Sequence, residues 1–227
     1  EHIADLADLL PQLLKKQDQA PTGFMQEWDS DEFQRGRWDP VFTGGAVVGL
    51  LLTDPAAPSP SSTKDIDIVL EIAGYPEFDA MGQLLRSAGF TQNYLDGLPI
   101  CAWQWRGVRV DFLSHLPTDM MDSNRWFSHL IEEAERIEVT SGRFAWCSSA
   151  ACFIAAKLEA YFSRGNGDYL TSKDMEDILA VVDGREELME EMEYTSPDVR
   201  GFIVSSFRDL LADRRFLETL PRIVPDD

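Results

Sequence analysis

Two aspartates one residue apart open an apolar run, Asp65-Ile-Asp-Ile-Val-Leu70, and no other stretch restricts the chain as much. In an extended strand, side chains alternate between faces. Asp65 and Asp67 then share one face, while Ile66, Ile68 and Leu70 point the other way into a core. Two carboxylates at the edge of a buried strand repel each other and lose hydration. A cation offsets that cost, and a ligand set made only of oxygen suits Mg²⁺. Upstream, Thr43-Gly-Gly45-Ala-Val interrupts another apolar run with a glycine pair.

The rest of the chain sets limits on what such a strand can serve. With 227 residues it can bury a substantial core, as one large domain or two small ones. Hydrophobic residues at 44% and charged residues at 26% are ordinary globular values. The net charge of −20 is not. It argues against backbone-driven nucleic-acid binding, which needs a basic surface, but permits a local basic pocket. It suits a basic partner or a salty environment, or simply keeps the protein soluble. Cys101, Cys147 and Cys152 are odd in number and sit in apolar or helical contexts, which predicts reduced core thiols in a cytoplasmic protein. No signal peptide is read at this N-terminus, and no apolar run approaches the roughly 18 residues that span a bilayer, so no membrane contact is expected.

Along the chain, residues 3–16 read as an amphipathic helix and 17–38 as an irregular, aromatic-rich packed segment. A short strand to Thr43, a turn at Gly44-Gly45 and a helix from Ala46 follow. The Pro- and Ser-rich residues 53–63 read as a mobile loop. After the strand at 64–72 come a helix at 76–88 stopped by Gly89, a short strand at 90–94, and strands either side of an Arg106-Gly107 hairpin turn. Residues 123–134 read as helix and 137–140 as a last strand. Beyond Trp146 the pattern is helical throughout, at 151–164, 172–183, 185–193 and 197–213, with Ser172 as an N-cap and a frayed tail from Pro221. The expected class is α+β: a small mixed or antiparallel sheet flanked by helices over residues 1–145, then a helical bundle over 146–227.

Four features carry chemistry. The Gly44-Gly45 turn lets backbone N–H groups approach a phosphate at a helix N-terminus, although such turns are also common for purely structural reasons. Asp65 and Asp67 are the second. Asp111, among β-branched neighbours on a hairpin strand, is either a strand-end acid paired with Arg109 or Arg106, or a third carboxylate beside the first two. Lys157, Tyr161 and Arg164 share one helix face, which either is solvated or turns two cations into a cleft to neutralise a triphosphate. Asp174 and Asp177, one turn apart, can orient Lys157 or Arg164, while Lys173 and Asp177 are also spaced for an ordinary helical ion pair.

Gly44-Gly45, Thr63-Lys-Asp65-Ile-Asp67 and a later strand aspartate, Asp111, together resemble the signature of the nucleotidyltransferase superfamily with a DNA-polymerase-beta-like core. Ala156-Lys157-Leu-Glu-Ala160, Arg164 and Lys173-Asp174-Met-Glu-Asp177-Ile are similar to the second motif of abortive-infection nucleotidyltransferase toxins of the AbiEii type. The resemblance spans roughly residues 40–185. It implies an enzyme that moves a nucleoside monophosphate from an NTP to an acceptor hydroxyl. Gly44, Gly45 and Thr63 would hold the nucleotide, Asp65, Asp67 and Asp111 would hold two Mg²⁺ ions, and Asp111 would also serve as base. Lys157 and Arg164 would meet the phosphates, with Asp174 and Asp177 completing the second motif. Nineteen residues separate Gly45 from Asp65, more than is usual, and the Pro/Ser loop accounts for the excess. Where relatives often carry Ser, this chain has Gly45.

The implied acceptor is tRNA or protein, with a cognate antitoxin as a further partner. The alternatives are a small aminoglycoside-like acceptor, which an acidic cleft suits, and a non-catalytic nucleotide- or partner-binding module of the same fold. His2, His115 and His129 are the only histidines and none sits in a nucleophile motif.

Overall fold

The computed structural model describes residues 2–14, 39–72, 74–92, 99–117, 123–165 and 167–223, so the aromatic-rich segment at 17–38 lies outside the described residues. Helix α1 (His2–Leu14) buries Leu6 and Leu10. Strand β1 (Val41–Thr43) runs into a 3₁₀ turn over Gly44–Val47, which continues as the short helix α2 (Val48–Leu51). Then come β2 (Asp65–Leu70), α3 (Tyr75–Ser87), β3 (Ala102–Trp105), β4 (Val108–Ser114), α4 (Phe127–Glu132), β5 (Glu135–Thr140) and β6 (Arg143–Cys147). Five helices finish the chain: α5 (Ala150–Arg164), α6 (Lys173–Gly184), α7 (Leu188–Tyr194), α8 (Pro197–Ala212) and α9 (Arg214–Ile223).

The class is α+β, as the patterning predicts. Six strands form one mixed sheet in the order β3-β4-β2-β1-β6-β5. β2 lies at its centre, antiparallel to β1 and parallel to β4, and β1 is parallel to β6. The two edges are hairpins. The β3–β4 turn places Arg106 and Gly107 both at positive φ, 48° and 80°, the mirror-image turn that matches strand twist. The β5–β6 hairpin is tied to α1 by Arg143, which donates to Asp5 and Asp8 at 2.7–3.0 Å.

One apolar cluster runs through the sheet and the helices behind it, from Leu6 and Leu10 through Ile68, Phe112 and Phe153 to Phe216. Ile66, Ile68 and Leu70 are buried as their alternation requires, and Val69 on the opposite face is buried as well. Cys101, Cys147 and Cys152 are buried free thiols. Burial pushes Cys101 up to about 11 and the other two up to about 12.

The structure departs from the patterning in several places. β6 and α9 go beyond the sequence reading, and Phe162 is half exposed although its spacing matches buried Ile154 and Leu158. The Pro/Ser loop is strapped to the end of α6: the N–H groups of Thr53 and Asp54 both donate to Gly184 O, at 2.9 and 3.0 Å. Gly184 is needed at that contact, since a Cβ there would press on Leu52 and Ala57 at 2.9 and 3.0 Å. No helix among the described residues is long and apolar enough to cross a membrane.

Candidate functional site

Strand register builds the site. Thr43 on β1 pairs with Asp67 on β2, and Asp67 pairs with Asp111 on β4, so the three stand in one row across the centre of the sheet. Two residues earlier along both strands, Asp65 pairs with Arg109. Because side chains two apart share a face, Asp65, Asp67, Arg109 and Asp111 occupy the corners of one patch. Three are acids and one is a guanidinium.

These groups are not equally satisfied. Arg109 donates to both oxygens of Asp111, Nε at 2.7 Å and Nη2 at 2.5 Å, a bidentate pair with the Asp111 side chain 10% exposed. Thr63 Oγ1 donates to Asp65 Oδ1 at 2.7 Å. Asp67 has no hydrogen-bond donor or ion-pair partner among the described residues. Desolvation first, then the charges of Asp65 and Asp111, push its carboxyl up to about 7; Lys157 and Arg109 act in the opposite direction without cancelling them.

Gly44 fits against this row. Its φ is +71°, and a Cβ built there would fall inside Asp67 Oδ2. The turn thus brings backbone against a carboxylate as only glycine can. Gly45 faces the other way: a Cβ there would stand 3.1 Å from Thr63 Cβ and 3.7 Å from Asp177 Oδ2.

The helical half supplies the cations. Ser149 and Ser172 accept from the N–H groups of Cys152 and Met175, and so cap α5 and α6. These helices pack so that Lys157 Nζ reaches Asp177 at 2.8 Å and Asp174 at 3.1 Å. Arg164 adds two donors to Asp174 at 3.0 and 3.1 Å, and Lys173 pairs with Asp177 at 2.9 Å and donates to Ser61 Oγ of the strapped loop. Both arrangements considered for the second motif are therefore present together. Burial works against the charge on Lys157, but Asp177 and Asp174 outweigh it and raise the lysine pKa. With the Asp177 side chain 2% and that of Lys157 13% exposed, removing Lys157 leaves Asp177 and Asp174, both nearly buried, with only their more exposed partners, Lys173 and Arg164. Lys157→Met is expected to destabilise the fold by about 3 kcal/mol, measured as a lower urea midpoint at unchanged slope. A midpoint equal to the parent's would show the network to be slack.

A cleft of about 590 Å³ opens over the row, lined by Thr43, Gly44, Asp67, Asp111, Lys157 and Arg164. Ser123, Asn124, Phe127, Glu159 and Ser163 also line it, and apart from Glu159, at a variable position of the second motif, none of these falls in a motif. Ser123 and Asn124 follow residues with no sequence signal, while Thr43 was legible as the strand residue before the glycines. Asp65, Gly45, Thr63, Asp174 and Asp177 support the residues that face the cleft. His115 does not line it.

The donor set decides what ion the patch suits. Asp65 and Asp67 offer oxygen ligands, and Asp67 is a charge in want of a partner, so these two fit Mg²⁺. Asp111 does not join them, because Arg109 takes both its oxygens. Among the described residues, no three carboxylate, histidine or cysteine groups gather closely enough to hold one ion. The three acids expected from the sequence thus share one patch, and in the ion-free chain Asp111 is paired with Arg109, the arrangement weighed from sequence as the alternative.

No family model and no curated protein matches the chain. Among solved structures it is similar to ANT(2″)-Ia in complex with adenylyl-2″-tobramycin, at 15% identity and TM-score 0.44, over 74% of this chain and 88% of that one. The solution structure of the antibiotic-resistance factor ANT(2″)-Ia gives 16% identity and TM-score 0.40, over 77% and 84%. An antigenic nucleotidyltransferase-like protein from Paracoccidioides brasiliensis gives 17% identity and TM-score 0.45, over 97% of both chains.

Proposed function

We propose that this chain is a divalent-metal-dependent nucleotidyltransferase that moves a nucleoside monophosphate from an NTP to an acceptor hydroxyl and releases pyrophosphate. The observation that carries the reading is Asp67: an unpartnered carboxylate set between two like charges, beneath a positive-φ glycine turn, at the floor of an open cleft. A purely structural role gives no return for that electrostatic cost. Mg²⁺, held by Asp65 and Asp67, would supply charge stabilisation on the phosphate being transferred. The Gly44 turn admits a phosphate close to the backbone, and Lys157, kept protonated by Asp174 and Asp177, places fixed positive charge on the same cleft. Arg164, whose side chain is 69% exposed, would swing from Asp174 to meet the distal phosphates.

For the acceptor, the Lys157–Arg164–Asp174–Asp177 arrangement supports the toxin type, with a tRNA end or a protein hydroxyl as acceptor and an antitoxin as partner. A second reading, a small aminoglycoside-like acceptor, is favoured by the cleft's lining. Glu159, Ser123, Asn124 and Ser163 are acidic or neutral there, and Lys157 and Arg164 are the lining cations, both already paired with Asp174. Each α-³²P-labelled NTP, incubated with Mg²⁺ and the chain, is expected to label one of three acceptor pools: total tRNA, lysate protein or aminoglycosides. Label on RNA or protein supports the first reading, and label on the small molecules supports the second. No label on any pool with any NTP would overturn the proposal.

A further inference from the structure

The proposed ion site contains a cation of its own. Arg109 lies on the same strand face as Asp111 and in register with Asp65, one corner of the patch whose other three corners are acids. Its fork closes on both Asp111 oxygens at 2.5 and 2.7 Å. A guanidinium stays charged at every working pH and matches a carboxylate in two parallel bonds, so no ordinary change of conditions frees Asp111. The pair is largely shielded, with side chains 31% and 10% exposed, and opening it would strand a charge in a desolvated place. What remains is Asp65, steadied by Thr63, and Asp67, which has no partner among the described residues. Taken together, the patch offers two carboxyl groups without an ion-pair partner among the described residues, which match a single divalent ion; a second ion would have to be met by Asp111, which is taken.

We infer that Arg109 is a built-in counter-cation that withholds Asp111 from metal binding, so the nucleotide-free chain holds one divalent ion on Asp65 and Asp67. In this role Arg109 is a positioning residue: it acts on the ion through Asp111. The inference rests on the reading of the site given above, but it is tested by binding, without turnover.

The full chain, without nucleotide, is titrated with Mn²⁺, and bound ion is counted from the electron paramagnetic resonance of free Mn²⁺. The parent is expected to bind one ion. Arg109→Gln, which frees Asp111, is expected to bind Mn²⁺ at least about tenfold more tightly. The double variant Arg109→Gln/Asp111→Asn preserves the charge of the pair and strands no buried ion, so it folds even where the single variant does not. It is expected to bind within about threefold of the parent. Two ions on the parent or a tenfold loss in the double variant would show Asp111 to be a ligand already, and no gain in the single variant would show that Arg109 withholds nothing; each would overturn the inference while leaving the proposed function standing. No Mn²⁺ bound by the parent would overturn both.

Discussion

Asp67→Asn is expected to lose nucleotide transfer by a factor of about 10³ or more and, without metal, to be more stable than its parent above neutral pH. The two effects have one cause. The folded chain raises the Asp67 carboxyl from 3.8 to about 7, chiefly by desolvation and then by Asp65 and Asp111. A carboxyl that binds its proton more tightly when folded contributes stability below its unfolded pKa, and that contribution is lost as pH rises through the folded value. The metal-free parent should therefore lose stability from this group between about pH 4 and pH 7. Each tenfold in proton affinity is worth about 1.4 kcal/mol, and the opening of the carboxylate onto the cleft roughly halves the sum, which leaves about 2 kcal/mol. For a chain of this size that is roughly 5 °C in melting temperature. Asparagine carries no charge at any pH, so the variant should melt above the parent at pH 8 and level with it at pH 4. Divalent metal should reverse the order at pH 8 by stabilising the parent alone. Melting curves at the two pH values, with and without Mg²⁺, check the claim. A variant that melts below its metal-free parent at pH 8, or that still transfers nucleotide, would refute it.

The residues behind this result differ in how far the sequence reveals them. Asp65 and Asp67 were legible because period-two alternation needs no tertiary information: the buried Ile66, Ile68 and Leu70 fix the opposite face. The glycine turn, the Arg106-Gly107 hairpin and the Ser172 cap were legible because each is local backbone chemistry. Arg109 was visible as a neighbour of Asp111, but its place in the patch depends on β4 lying parallel to β2, a pairing between strands 37 residues or more apart that no local pattern encodes. The sharing of Asp174 and Asp177 among Lys157, Arg164 and Lys173 likewise depends on how α5 packs on α6. β6 escaped notice because Arg143-Phe-Ala-Trp-Cys147 is short and abuts a helix cap. α9 did so because Pro221 near its end reads as a breaker, yet the helix runs through it to Ile223. The strap at 53–63 looked loose by composition, and what holds its start is a backbone carbonyl, Gly184 O, which composition does not report.

Gly44→Ala is expected to cost more than either of two other glycine substitutions, and the comparison separates its causes. At Gly44 two penalties meet. The residue sits at φ +71°, where an L side chain costs about 1–2 kcal/mol, and the added methyl would fall inside the Asp67 carboxylate. Gly167 has almost the same backbone, φ +70°, with nothing within 4 Å of its would-be Cβ, so Gly167→Ala measures the backbone penalty alone. Gly45 is not at positive φ, and its Cβ would press on Thr63 by a few tenths of an ångström, so Gly45→Ala measures a mild contact alone. Gly44→Ala should exceed the sum of the other two by at least about 1 kcal/mol in urea unfolding, because the added methyl overlaps the Asp67 carboxylate and forces it from its place. Activity should separate the three more sharply. Displacing Asp67 moves an ion ligand of the proposed site, so Gly44→Ala should lose transfer by about 10² or more, since a shift of about 1 Å at a catalytic group is enough for that. Gly167→Ala, which does not line the cleft, should retain transfer within about twofold wherever the variant is folded. If Gly44→Ala were no worse than Gly167→Ala in both assays, the close approach of the turn to Asp67 would have no consequence, and the glycine would be there for its backbone alone.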